Sequence, residues 1–207
     1  MKKLSAIIVI AIVCSTLFLS QCTDNKTGDT NNKKDTILVG SKSNGGYESQ
    51  VKWGEHLVMV GACGDCHTPK KMGPHGPEED STLLLSGHPA KMPPPDVDRN
   101  AMETKGMAVT QTLTAWVGPW GISYSANLTS DDSGIGTWSE EQFIYALRNG
   151  KLKGLPGSRM LLPPMPWHAI KHHTDDELKA IFAYLKATKP INNIVPPPAP
   201  PVVQRKM

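Results

Sequence analysis

The pentapeptide CGDCH, from Cys63 through Cys66 to His67, constrains the fold of this 207-residue chain more than any other feature. Two thiols separated by two residues, with an imidazole directly after the second thiol, are typical of covalent haem attachment. The thiols can add to the two haem vinyl groups, and the histidine can bind the iron from the proximal side. The motif therefore predicts a domain that folds around a bound porphyrin.

Three other chemistries use a similar pair of cysteines, and the surrounding sequence favours none of them. Thioredoxin-like dithiols lie between a strand and a helix, whereas the residues before Cys63 have a helical pattern. A zinc site needs four protein ligands, and no second C-x-x-C or H-x-x-x-H pair completes the set. A disulfide between residues three apart is geometrically awkward. We therefore predict haem c, held by Cys63 and Cys66, with His67 on the iron.

The N-terminus predicts export. Lys2 and Lys3 precede a segment, residues 4–19, in which thirteen of sixteen residues are hydrophobic. The following LFLSQC resembles the cleavage box of bacterial lipoproteins and predicts lipidation of Cys22, although Gln21 is not the small residue usual at that position. The alternative is an uncleaved anchor helix. Both alternatives place the rest of the chain outside the cytoplasm, on the periplasmic side of a bacterial membrane.

Composition divides the chain into four parts. Residues 1–21 are the predicted signal peptide, and the polar residues 22–46 are predicted to form a flexible tether. Residues 47–193 form the predicted folded domain. The proline-rich residues 194–207 are expected to be extended rather than packed.

Charge and cysteine counts limit the function further. The chain has 22 Lys and Arg against 19 Asp and Glu, a balance too even for a nucleic-acid partner. Of the four cysteines, Cys14 and Cys22 precede the predicted domain. The domain therefore has one cysteine pair, which permits one covalent haem per chain.

The residues before the haem motif predict a helix. From Glu48 to Val60, an apolar stripe repeats at Trp53, Leu57 and Val60 with helical spacing. Gly54 is unfavourable inside a helix, so it predicts close approach by another backbone or an aromatic ring.

Two further helices are marked by capping boxes. Ser139 and Gln142 form an S-x-x-Q box, and that helix is expected to end at Gly150. Thr174 and Glu177 form a T-x-x-E box at the start of the last helix. Three helices joined by loops predict an all-α fold.

The second axial ligand has several candidates in the sequence. Met165 is the most informative, because Pro164 and Pro166 restrict its backbone and can present its thioether to the iron. Methionine is, however, a common core residue. From the residues alone, Met160 and His168 remain alternatives.

Several separated motifs together resemble the monohaem domain of bacterial cytochromes c, including domains in multihaem electron-transfer subunits of dehydrogenases. They are CGDCHTP, SANLTSDDSGIGTWSEEQFIYALRNG, LLPPMPW and TDDELKAIFAYLKATKPINN, and they cover most of residues 53–193. The resemblance implies a cytochrome c-like fold in which the first and last helices cross. It also implies that His67 and Met165 bind the iron.

Together with the predicted lipid anchor, the resemblance implies a function as well: a membrane-tethered carrier of single electrons between a redox donor and acceptor, such as a dehydrogenase or an oxidase. The alternatives are a haem peroxidase, which needs an open position on the iron, and a cytochrome subunit of a dehydrogenase complex.

Residues 70–125 are the least regular part of the predicted domain. They are rich in Gly and Pro and show no sustained helical or strand period. We expect this segment to wrap the haem, with Trp116 and Trp120 as candidate covering residues, although ordinary packing is an equal alternative. His75 and His88 are expected to be solvated loop histidines.

Overall fold

The computed structural model describes residues 44–202. The predicted export signal, Cys22 and most of the predicted tether lie outside the described residues. Within residues 44–202, no helix has both the length and the apolar character needed to cross a bilayer. The described helices are α1 (Gln50–Val60), α2 (Cys63–His67), α3 (Arg99–Lys105), α4 (Glu140–Asn149), α5 (Trp167–Ile170) and α6 (Asp175–Ala187).

The first and last helices, α1 and α6, form the most extensive contact between any two elements of the described chain. Gly54 lies at this contact, and a Cβ atom at that position would overlap the backbone carbonyl of Ala180 and approach Cβ of Tyr184. The predicted close approach at Gly54 is therefore confirmed. Absence of a side chain in α1 lets the α6 backbone come close.

Both predicted capping boxes are present and both helices begin where they indicate. Ser139 caps α4 in a reciprocal pair with Gln142, and Thr174 caps α6 in the same way with Glu177. Helix α4 ends at Gly150 in the left-handed conformation. The apolar faces of the two helices are buried in one core, at Phe143, Ala146, Leu147, Leu178, Ala180, Ile181, Phe182 and Leu185.

The apolar stripe predicted for α1 needs one correction. Leu57 is buried and Trp53 packs against the core, but Val60 is 65% exposed. Val58 is buried in its place. Gly61 caps the helix directly after Val60, and both Met59 and Val60 at this end of α1 are exposed.

The all-α prediction is not confirmed, because the segment 70–125 contains two antiparallel hairpins as well as α3. Strands β1 (Lys70–Gly73) and β2 (Gly76–Glu79) form the first, and strands β3 (Ala115–Gly118) and β4 (Gly121–Tyr124) form the second. Opposite charges face each other across the first hairpin, which favours that pairing. Four-residue strands are too short to give the sustained alternation by which strands are recognised in a sequence.

The second hairpin also binds the proline-rich segment at the end of the described chain. Ile122 and Ala199 exchange two backbone hydrogen bonds, of 2.8 and 3.1 Å. Arg99 donates to the carbonyl of Pro200, and the buried carboxylate of Glu103 accepts from the amide of Val202. The segment is therefore extended, as its composition predicts, but the expectation that it is unpacked is wrong.

We predict that Gly54→Ala lowers the free energy of unfolding by roughly 1–3 kcal/mol, because the new methyl group forces α1 away from Ala180. Gly157→Ala is the matched control, since a Cβ there meets no atom within 4 Å. It should change stability by no more than about 0.5 kcal/mol. Denaturant unfolding measures both, and equal stability of the two variants would contradict the contact.

Candidate haem-binding site

The C-x-x-C-H motif forms the short helix α2, Cys63–His67, which brings its three candidate haem-binding side chains together. Residues at positions i, i+3 and i+4 lie on one face of a helix, so Cys63, Cys66 and His67 share a face. Both cysteines are half-buried and are not joined in a disulfide. Cys63 also packs against the hydrophobic core.

His67 is buried and is held in one orientation. Its side chain is 8% exposed, and Nδ1 lies 2.7 Å from the backbone carbonyl oxygen of Ala126. Because a carbonyl can only accept, Nδ1 carries the proton and Nε2 keeps its lone pair. Burial lowers the pKa of His67, while the bond to Ala126 acts in the opposite direction. A neutral ring with one nitrogen fixed in this way is the form that binds a metal.

The two thiols have raised rather than lowered pKa values. Burial raises the pKa of Cys63 to about 11, and burial together with Asp65 raises the pKa of Cys66. Catalytic dithiols depend on a thiolate, which a lowered pKa supplies. The environment of α2 therefore does not favour the dithiol redox alternative.

Lys70 supports the C-terminal end of α2, a role that no sequence motif indicates. Its ammonium group donates to the carbonyls of Gly64 (3.2 Å) and Thr68 (2.8 Å), and lies 3.7 Å from the Glu79 carboxylate. A cation at a helix C-terminus satisfies free carbonyls and interacts favourably with the helix dipole. The first hairpin therefore stabilises the haem motif directly.

Gly87 is a second site residue that sequence reasoning missed. Its amide donates to the carbonyl of His67 (2.7 Å), and a Cβ would overlap the backbone of Ser125 and Ala126. Its φ of +78° also favours glycine. Gly87 thus lets the backbone of residues 125–126 approach His67. The only sequence signal was a glycine in a Gly- and Pro-rich segment.

His88, predicted to be a solvated loop residue, is completely buried. Its Nε2 lies 2.9 Å from the carbonyl of Met92 and its Nδ1 lies 2.9 Å from the hydroxyl of Thr114. Both ring nitrogens therefore have partners, and His88 joins two parts of the segment 70–125. His75 is exposed, as predicted.

The three candidates for the second axial ligand lie in different surroundings. Met165 is half-buried and packs against the hydrophobic core. Met160 is 41% exposed. His168 is exposed, and its ring lies against that of Trp167 at a centroid distance of 3.8 Å. Core packing thus distinguishes Met165 from the other two.

The turn before Met165 is held at two points. The Met165 amide donates to the carbonyl of Leu162 (3.2 Å), which closes a turn with Pro163 and Pro164 at its centre. The carbonyl of Pro163 accepts a 2.6 Å hydrogen bond from the hydroxyl of Ser123 in β4. The second hairpin therefore contacts the segment that carries Met165. Trp116 and Trp120, the candidate covering residues, both lie half-buried in this hairpin.

The donor set fits a covalently bound haem. Two protonated thiols and one neutral imidazole share a helix face, and a thioether lies on a separate segment that packs against the same core. Among residues 44–202, no group of three or more His, Cys, Asp or Glu side chains could hold a metal ion.

Comparison with known proteins finds cytochrome subunits of dehydrogenases among the relatives. The chain is 37% identical over 149 residues to the fructose dehydrogenase cytochrome subunit of Gluconobacter japonicus, covering 70% of this chain and 23% of the relative. It is 26% identical over 147 residues to the alcohol dehydrogenase (quinone) cytochrome c subunit of Gluconobacter oxydans, covering 68% and 24%. The gluconate 2-dehydrogenase cytochrome c subunit of Pantoea cypripedii is 29% identical over 138 residues, covering 66% and 23%.

These relatives support a cytochrome c-type protein. They also support a cytochrome-like fold and electron transfer as the general function. No protein-family model matches the chain. The matches span at most 24% of the length of the three relatives named above.

We predict that Lys70→Met lowers the free energy of unfolding by roughly 1–3 kcal/mol, because the carbonyls of Gly64 in α2 and of Thr68 directly after it lose a charged donor. Lys71→Met is the matched control: the neighbouring Lys71 is exposed and makes one ion pair, with Glu78. Loss of this ion pair should lower the free energy of unfolding by no more than about 0.5 kcal/mol. Denaturant titration distinguishes the two variants, and a stable Lys70→Met protein would exclude the supporting role.

Proposed function

We propose that this chain is a membrane-tethered, extracytoplasmic cytochrome c that carries one covalent haem c and transfers single electrons between redox proteins. Cys63 and Cys66 form the thioethers, and His67 and Met165 bind the iron. The observation that carries the proposal is the state of His67. Its ring is buried next to two thiols on the same helix face, with Nδ1 fixed by Ala126 and Nε2 left as the ligand atom.

The surroundings of Met165 support its role as the second ligand. A carrier has to keep both ligands while the iron changes charge, because ligand loss slows electron exchange. Met165 lies between Pro164 and Pro166, at the end of the turn that its own amide closes, and it packs against the core. Its backbone therefore has little freedom. Met160, at 41% exposed, and His168 are both more exposed than Met165.

The haem supplies the redox change itself, as its iron cycles between the ferric and ferrous states. The chain contributes the ligands, the apolar surroundings and the exclusion of other iron ligands. The buried cluster from α1, α4 and α6, against which Cys63 and Met165 pack, provides the apolar surface. A closed iron of this kind suits a carrier better than a peroxidase, which needs an open position.

Lipidation of Cys22 and export place the domain at a membrane surface. The polar residues that follow give it a tether, so it meets its partners at a local concentration set by tether length. The names of the relatives indicate a dehydrogenase as the electron donor.

A second candidate function is that of a cytochrome subunit bound permanently in a dehydrogenase complex. The relatives favour it, since they are named as subunits of such enzymes. Size-exclusion chromatography of detergent-solubilised native membranes separates the two functions. A free carrier elutes as a small haem protein, whereas a subunit elutes with dehydrogenase activity.

Two variants should give opposite results for haem and for membrane attachment. Cys63→Ala/Cys66→Ala should leave no haem on the denatured chain, because both thioethers are lost, but should remain in the membrane fraction. Cys22→Ser should keep the covalent haem and move to the soluble fraction. Haem staining of a denaturing gel after membrane fractionation measures both. Haem retained by the double variant would contradict covalent attachment, and membrane-bound Cys22→Ser would contradict the anchor.

Met165→Ala should open the iron to external ligands. We expect the weak red absorption band of Met-ligated ferric haem to disappear, the reduction potential to fall, and imidazole to bind more tightly. Met160→Ala is the control and should leave all three properties unchanged. Spectra that are unchanged in Met165→Ala but altered in Met160→Ala would move the ligand to Met160.

A further inference from the structure

Ser123 makes a hydrogen bond that links two parts of the chain far apart in sequence. It lies in β4, its side chain is 5% exposed, and its hydroxyl donates to the carbonyl of Pro163 at 2.6 Å. Pro163 is two residues from Met165, within the turn that the Leu162–Met165 hydrogen bond closes. The central carbonyl of that turn is therefore held from outside by this hydroxyl.

Trp120 makes a second hydrogen bond to the Ser123 hydroxyl. Its indole N–H donates to the Ser123 hydroxyl at 3.0 Å. The hydroxyl thus accepts from Trp120 and donates to Pro163, and consecutive hydrogen bonds of this kind strengthen each other. Because the N–H fills a lone pair of the hydroxyl oxygen, it favours the orientation that directs the Ser123 proton to Pro163.

The same short stretch of chain also makes a hydrogen bond to His67, the other proposed iron ligand. Ala126, three residues after Ser123, provides the carbonyl that accepts from Nδ1 of His67. Between them, the backbone of Ser125 bonds to Thr114 and His88, so the stretch is fixed in the domain. Residues 123–126 therefore make hydrogen bonds to both ligand-bearing segments.

We propose that Ser123 is a positioning residue for the distal iron ligand: its hydroxyl, oriented by Trp120, fixes the Pro163 carbonyl and so keeps the Met165 thioether on the iron. The proposal rests on the proposed function, in which Met165 binds the haem iron. Without the hydroxyl, the Pro163 carbonyl loses its hydrogen bond to β4. The segment that carries Met165 would then leave the iron more often. Ser123 acts on the lifetime and population of the bound ligand, not on electron transfer itself.

The test is imidazole binding to the ferric, haem-loaded full chain, because imidazole reaches the iron only when Met165 has left it. The apparent affinity rises in proportion to the population of the open state. Ser123→Ala should bind imidazole about fivefold more tightly than the wild type, the factor that corresponds to loss of a typical net hydrogen bond. Trp120→Phe replaces the indole with a smaller aromatic ring that has no N–H, so it should give a smaller increase.

Ser130→Ala is the matched control. The Ser130 hydroxyl also donates to a backbone carbonyl at 2.6 Å, but to that of Thr188 after α6. Its loss removes a similar hydrogen bond elsewhere in the domain and should leave imidazole affinity unchanged. Ser123→Thr retains a hydroxyl and should return the affinity towards the wild-type value. Rescue by threonine would separate hydrogen bonding from general destabilisation.

The outcomes distinguish this proposal from the one on which it rests. Met165→Ala with wild-type imidazole affinity would overturn both. Tight binding by Met165→Ala, with Ser123→Ala equal to the wild type and to Ser130→Ala, would overturn only the role of Ser123. Should Ser123→Ala fail to accumulate as a folded protein, Trp120→Phe decides the question: an affinity equal to that of the wild type rejects the proposal.

Discussion

The proposed haem site depends on a helix that is too short to be stable by itself. Helix α2 has five residues, and isolated helices of that length do not form in water. It persists because other segments make hydrogen bonds to it. The Lys70 ammonium group donates to the carbonyls of Gly64 and Thr68. The Gly87 amide donates to the His67 carbonyl, and the Ala126 carbonyl accepts from the His67 ring. The geometry of the three proposed haem-binding groups is therefore a property of the domain, although the motif is local in sequence.

The parts of the fold that could be predicted are those whose causes lie within a few residues. A capping box joins residues three apart, so Ser139 and Thr174 predicted where α4 and α6 begin. Gly54 was informative for a related reason, because an unfavourable residue in a regular helix needs an explanation from packing. The motif around Cys63, Cys66 and His67 is equally local, and it indicated the candidate ligands.

The parts that could not be predicted depend on pairing between distant residues. The bond of Ile122 to Ala199 joins a hairpin to the proline-rich tail, and neither partner carries a signal for the other. His88 is buried because Thr114 and the Met92 carbonyl satisfy its ring, which the sequence around it does not show. The first hairpin left a weak trace, two lysines and two glutamates on either side of GPHG, that resembles an ordinary charged loop.

The two segments that carry the proposed iron ligands are held by different kinds of group, one by a backbone carbonyl and the other by a side-chain hydroxyl. His67 is oriented by the backbone carbonyl of Ala126, which is present whatever side chain position 126 carries. The Met165 segment is held by the side-chain hydroxyl of Ser123, which a single substitution removes. Both groups belong to one short stretch of chain, residues 123–126. Under the proposed ligation, the group that orients His67 does not depend on the identity of a side chain, whereas the group that holds the Met165 segment does. In a cytochrome c-type protein, the reduction potential and access to the iron depend strongly on the second ligand. Under the proposed ligation, a substitution at position 123 is therefore expected to change both properties while leaving Cys63 and Cys66, the proposed attachment residues, untouched.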